Sequence, residues 1–282
     1  MSLAAFATLL EAEDLRLDLA RACLMVAEDA YPDLRIESYL AELELLAHQL
    51  RGKLPASDSP EERVLALNRF LFDDMGFSGN AEAYYDPRNS YLNEVMERRV
   101  GIPITLSVLY MELGRRIGLP LDGLSFPGHF LVRLRLRQGT LVLDPFACGA
   151  PVSASELRER LKQVVPPGST GKLSVDELPL EPFLEPAGKK QILARLLRNL
   201  KGIYMAHENF ERALEVLNRM RLVVPEASSD LRDRGLLYER LECWRPAMQD
   251  LSEYIEREPQ APDLERLRAK VAELAGLCAK LN

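Results

Sequence analysis

Two stretches of the chain, YMAHENFERALEVLNRMRLVVP (residues 204–225) and YERLECWRPAMQDLSEYIEREP (residues 238–259), overlay at an offset of 34 residues. Tyr204 falls on Tyr238, Phe210 on Trp244, Ala213 on Ala247, Leu217 on Leu251 and Pro225 on Pro259. Such a period describes a helix-turn-helix unit that buries its apolar face only against a neighbouring copy. Alanines let two helices approach, aromatics fill the groove between them, and proline stops the second helix. Beyond the second copy, Leu264, Leu267, Val271, Leu274 and Leu277 recur at steps of three and four. That is the apolar stripe of a helix able to cap the open end of the stack.

The repeat resembles the TPR family over residues 194–261. The resemblance implies a concave surface, lined by the first helix of each pair, that holds a protein or peptide. It makes Arg195, Arg198 and Arg232 candidates for facing an acidic partner. Ordinary solvated arginines, and packing of the repeats on the rest of the chain, are the competing readings.

Upstream, the pattern is helical to about residue 75. Asp14 is placed to cap a helix carrying Leu15, Leu19, Ala22 and Val26, which Pro32 ends. A second helix is expected over Ile36–Arg51. Ser59-Pro60-Glu61-Glu62 joins a capping hydroxyl, a first-turn proline and two acids at the positive end of a third, which breaks near Gly76. Ser90 is a candidate cap for a short helix to Arg98, and Pro103 opens another that ends at Gly118. LDGLSFPGHFLVRLRL and TLVLDPF then have the composition and length of strands. Ser153 with Glu156 three positions on forms a capping box. The segment 164–188 holds Pro166, Pro167, Pro179, Pro182 and Pro186. Its apolar residues Leu173, Val175, Leu178, Leu180, Phe183 and Leu184 favour a strap packed on the surface over a free tether.

His129 follows Gly128 at a strand, and Asp144 ends the next strand beside Pro145. Adjacent strands carrying these two side chains can set the carboxylate on the imidazole, fixing its tautomer and raising its basicity. A thiol site of this type needs one more part, a cysteine at the N-terminus of the preceding helix. The order of helix entered through glycine, strand with histidine and strand ending in Asp-Pro resembles the transglutaminase-like (papain-like) core. The longer wording YYDPRNSYLNEVMERRVGIPITLSVLY, FPGHFLVR and LDPF looks like the bacterial SirB-type family, in which that core carries appended TPR repeats. The resemblance implies a Gly-x-Cys at the helix entrance. Here Gly101-Ile102-Pro103 puts proline at the place of the cysteine.

The substitutes within sequence reach are Thr105 and Ser107 on the same helix and Cys148 after Asp144. A hydroxyl needs far stronger activation than a thiol, and hydrogen bonding within the helix is the simpler role for both. Tyr85, Asn89, Asn93 and Glu94 precede the Gly101 turn and are candidates for a pocket wall. The asparagines can equally satisfy local backbone groups. His48 and His207 are incidental.

The expected architecture is α+β and mainly helical, with a small antiparallel sheet in the core. Its expected domains are a core with N-terminal helices over 1–165, a linker or strap over 166–188, and a TPR pair with capping helix over 189–282. The expected function is a catalytically degenerate scaffold that binds a protein or peptide. The alternative is a Cys- or Ser/Thr-dependent amide hydrolase using His129 and Asp144. A net charge of −7 opposes a nucleic-acid partner. Arg133, Arg135 and Arg137 alternate along a strand as a solvated face. No apolar run approaches the roughly 20 residues of a membrane span. Four cysteines without C-x-x-C spacing argue against zinc and disulfides and for a reducing cytoplasm. No metal or cofactor is expected.

Overall fold

A computed structural model describes residues 3–54, 59–137, 139–166 and 174–280. Pro167 and Leu173 lie outside the described residues. The chain divides into two compact units, 13–192 and a second made of 1–12 with 193–282. The dividing point 192/193 falls inside a helix, Lys189–Ala206.

The first unit is α+β. Its helices are Leu19–Ala27 (α2), Ile36–Arg51 (α3), Pro60–Asn68 (α4), Leu92–Arg98 (α5), Pro103–Arg116 (α6) and Ala154–Val164 (α7). Nearly every side chain of α6 from Pro103 to Gly114 is buried, so the other elements pack around it. Such a helix is largely apolar because it has no solvent face to keep polar, and it buries Thr105, Ser107 and Glu112 among its apolar residues. Ser59 caps α4 and Ser153 boxes with Glu156 to open α7, as their sequence patterns require. Gly118, at φ 77°, follows the end of α6 in the left-handed conformation that glycine adopts without strain.

Two caps differ from expectation. Asp18, not Asp14, caps α2 by accepting the Arg21 N–H at 3.0 Å. Asp14 lies in a 3-10 turn and caps a remote helix instead. Its carboxylate accepts the Lys189 and Lys190 N–H groups, both at 2.8 Å, at the start of Lys189–Ala206 (α8). Tyr91, not Ser90, precedes α5, and Ser90 is buried in the short turn before it.

Leu121–Leu124 (β3), Leu131–Leu136 (β4), Gly139–Asp144 (β5) and Ala150–Pro151 (β6) form an antiparallel sheet in chain order. A separate parallel pair joins Ser78–Gly79 (β1) to Val100–Gly101 (β2), the strand that leads into α6. One face of the sheet buries Leu124, Leu131 and Val142 with Phe126 and with Leu157 and Leu161 of α7. The strap 174–188 completes that cluster through Val175, Leu180, Phe183 and Leu184. It also covers the exposed edge of β3, where Ala187 N–H donates to Gly123 O at 2.8 Å. Arg133 is not part of a solvated face: it is 7% exposed, with Nε donating to Asp122 at 2.9 Å and Nη1 to Leu184 O at 2.7 Å. A charge this deep persists because it is paired. Arg135 and Arg137 are exposed.

The second unit is helical. After the end of α8 come Phe210–Val223 (α9), Ser228–Arg240 (α10), Trp244–Arg257 (α11) and Leu264–Lys280 (α12). The 34-residue offset holds in the backbone as well as in the sequence. Glu208 and Glu242 both adopt positive φ, at 54° and 58°. Asn209 N–H donates to Tyr204 O at 2.9 Å, and Cys243 N–H to Tyr238 O at 2.8 Å. Ala213, Ala247, Leu217 and Leu251 are all fully buried. Leu267 and Leu274 of α12 close the cluster around Leu231 and Leu251. Leu3–Leu10 (α1) contacts α9, and the Phe6 ring lies 4.7 Å from the buried Arg219 guanidinium. The N-terminal helix therefore groups with the repeats, whereas the expected boundaries placed it with the core.

Candidate functional site

His129 is not on a strand. It sits in the bend before β4, where its N–H donates to Phe126 O at 3.2 Å and Gly128 takes φ 69°. The turn aims the imidazole at the end of β5. His129 Nε2 and Asp144 Oδ1 are 2.9 Å apart. Asp144 is 2% exposed and accepts two further bonds, from Arg160 Nη2 at 2.8 Å and from Phe146 N–H at 3.1 Å. Burial alone would raise its pKa, but His129 and Arg160 outweigh that and hold the carboxyl below its ordinary range. An ionised carboxylate only accepts, so Nε2 of His129 carries the proton.

One carboxylate therefore ties three segments together: the bend before β4, the turn after β5, and α7. Arg160 has no local signal in the sequence, since its partner lies 16 residues away on another element. Phe146, in the LDPF wording, is a second residue that sequence reasoning passed over. Its ring meets His129 edge-on at 6.0 Å between centroids and Tyr84 at 6.3 Å. It also lies over the backbone of Gly79, where an added Cβ would come within 2.6 Å of ring carbons. Gly79 pairs with Gly101. An aromatic ring thus packs between the imidazole and the strand pair that leads into α6.

The entrance of α6 carries no thiol. Pro103 is its first residue, and Ile102 before it offers no polar side chain. The Thr105 hydroxyl, 2% exposed, accepts the Ile102 N–H at 3.1 Å and lies 2.8 Å from Asn89 O, to which it donates. It closes the helix start, the role in hydrogen bonding within the helix that competes with its candidacy as a nucleophile. Ser107 is fully buried in α6. Cys148 is an exposed free thiol at φ 54°, at the end of the turn that Asp144 opens.

The four pocket-wall candidates separate. Asn89 is fully buried and staples its own loop, with Nδ2 donating to Ala83 O at 2.7 Å and Oδ1 accepting from Asn80 at 3.2 Å. Asn93 is 2% exposed, and Glu94 faces Arg98 at 3.9 Å. Only Tyr85 stands out in solvent, stacked edge-on against Tyr84 at 5.2 Å. In the repeats, Arg198 is exposed and Arg195 half-buried. Arg232 is held by its own unit: it bonds Asp233 at 3.2 Å, faces Asp263 at 3.6 Å, and lies 5.8 Å from the Tyr254 ring.

A helix entered from a short strand, followed by an antiparallel sheet at whose end a histidine in a bend meets an aspartate, is the order of a transglutaminase-like core. A model of the transglutaminase-like superfamily matches residues 37–198, and a tetratricopeptide repeat model matches residues 200–272. The chain belongs to the transglutaminase-like superfamily, in its SirB-type branch with C-terminal TPR repeats. It is 41% identical to a UPF0162 protein of Xylella fastidiosa, covering 93% of this chain and 92% of that protein. Identity to a UPF0162 protein of Vibrio cholerae is 31%, over 92% and 93% of the two chains. Protein SirB1 of Salmonella typhimurium is 28% identical, over 87% of each. Among solved structures, a crystal structure of menin aligns at a TM-score of 0.40 and 14% identity, covering 88% of this chain and 67% of menin.

Proposed function

We propose that this chain is a catalytically degenerate transglutaminase-like protein that works as a cytoplasmic scaffold, binding a protein or peptide. The observation that carries the reading is Pro103 at the first position of α6, where the fold would present a thiolate. An acyl-transfer site needs a nucleophile within reach of its base. Proline supplies neither thiol nor hydroxyl, and Thr105 has its hydroxyl engaged in the helix start. Phe146 packs against His129 on the side of β1 and β2. The His129–Asp144–Arg160 group then serves to hold the sheet end and α7 in place.

TPR repeats generally mediate protein–protein contacts, which supports the binding half of the reading. Arg198 and Arg195 are the basic side chains on α8 that an acidic partner would meet. Arg232 contributes less, because its guanidinium already has acidic neighbours.

The test has two arms. The purified chain is incubated with a glutamine-containing peptide and a fluorescent primary amine, and both ammonia release and amine incorporation are followed. The reading expects neither above the rate without protein; sustained turnover would overturn it. Partners captured by the whole chain are then compared between wild type and a variant carrying Arg195→Glu and Arg198→Glu. Loss of an acidic partner on charge reversal is the expected outcome, and undiminished capture would remove α8 from the binding surface.

A further inference from the structure

The first unit has a recess at the far end of α6 from its entrance. It is lined by Met111, Glu112 and Arg115, which lie about 12–18 Å along the helix axis from Pro103 at 1.5 Å per residue. Its volume is about 380 Å³, near the small end of the range of roughly 300–1,000 Å³ typical of small-molecule sites. Leu19, Met111, Leu119, Leu121 and Ile192 give it apolar walls, and Pro186, Ala187 and Gly188 of the strap close one side.

Five charged side chains line the recess, and three are engaged within the fold. Asp14 caps α8 with both carboxylate oxygens. Lys189 Nζ donates to the carbonyls of Leu15 and Leu17 at 2.9 and 2.8 Å. Glu112 is almost buried and paired with both Arg115 and Arg116. Two remain with capacity toward solvent. Arg115 uses one nitrogen, Nη2, on Glu112 at 3.0 Å, and its side chain is 61% exposed. Asp122 accepts Arg133 Nε through Oδ2 at 2.9 Å, and its side chain is 40% exposed.

A cation and an anion at the rim of an apolar recess call for a ligand that is itself charged at both signs and apolar beyond them. Beyond the pairs these two already make, a simple fatty acid would leave the second oxygen of Asp122 unused, and an alkylamine would leave the remaining nitrogens of Arg115 unused. We propose that this recess binds a free apolar α-amino acid. Arg115 takes its carboxylate, for which a guanidinium is suited by its parallel N–H groups. Asp122 takes its ammonium, and the leucine and methionine walls take its side chain. The site is independent of the reading of His129 and Asp144.

Calorimetric titration of the whole chain with L-leucine, L-isoleucine, L-methionine and L-phenylalanine tests this, with N-acetyl-L-leucine and L-leucinamide as forms blocked at one end. At least one free amino acid should bind saturably at one site per chain. Both blocked forms should bind about tenfold more weakly or worse, since each loses a charge-assisted bond. Arg115→Gln, at an exposed position, should weaken binding by a similar factor, and Ala187→Leu, which narrows the recess without changing charge, should weaken it too. The proposal is overturned by the absence of saturable binding across the four amino acids. It is equally overturned if the blocked forms bind as well as the free ones, or if Arg115→Gln binds like wild type.

Discussion

The two turns of the repeat unit and the corner around His129 keep their family patterns in opposite ways. In the repeats, Tyr204 to Phe210 and Tyr238 to Trp244 reproduce one another down to the positive φ of Glu208 and Glu242. Between the copies tryptophan stands for phenylalanine and cysteine for asparagine, yet the geometry is the same. At the corner, the histidine and the aspartate are in place at 2.9 Å, and Pro103 stands where the family resemblance implies a cysteine. A fold rests on many apolar positions that tolerate exchange, whereas acyl transfer rests on one atom. On the proposed reading, a chain without that atom keeps its scaffold and uses the polar pair as a structural tie.

The largest effect that sharpens this contrast belongs to Asp144. Removing one member of a buried ionic group leaves its partners uncompensated, so Asp144→Ala should cost about 3–5 kcal/mol in denaturant unfolding. A loss below about 1 kcal/mol would show that the corner is not a structural tie. The pH dependence has a definite sign. The folded carboxyl titrates below its unfolded value, so its stabilisation is full above the unfolded pKa of about 3.9 and fades as pH falls through the lower folded value. Through this carboxyl, the gap between wild type and Asp144→Asn should narrow as pH falls below about 4.

The repeats give the next effect. Leu217 and Leu251 occupy equivalent, fully buried sites. Truncating either to alanine should cost about 2–5 kcal/mol, and equivalence predicts costs within about 1 kcal/mol of each other by thermal or chemical unfolding. A wide disparity would break the symmetry read from the offset. Ser153→Ala, which removes the capping box of α7, should cost about 1 kcal/mol. Arg198→Glu, at an exposed helix position, should move stability by no more than about 0.5 kcal/mol, so that any effect on partner binding reads as binding.

Much of the fold was legible because its signals are local. The period of 34, the Ile36–Arg51 helix, the Ser59 and Ser153 caps and the strand composition of β4 and β5 each lie within one window of sequence. The errors share a cause in distant partners. Asp14 and Asp18 both stand before an apolar run, and nothing local says that Asp14 will cap a helix 175 residues away. Arg133 reads as one of three solvated arginines until Asp122 and Leu184 O close on it. The strap was legible from its apolar residues, but not its place along the edge of β3. At the site, the meeting of His129 with Asp144 followed from the motif order. Arg160 and Phe146 did not, because an arginine on a surface helix and an aromatic after a turn carry no mark of what they touch.

The most direct test is a comparison of covalent labelling by iodoacetamide, read by intact mass and peptide mapping, between wild type and His129→Gln. Glutamine retains an N–H donor for Asp144 but cannot act as a base. If no nucleophile answers to His129, both proteins should label at the exposed thiols Cys148 and Cys243, with the same rates. A residue that reacts faster in wild type and loses that advantage in the variant would show a working base–nucleophile pair and contradict the account.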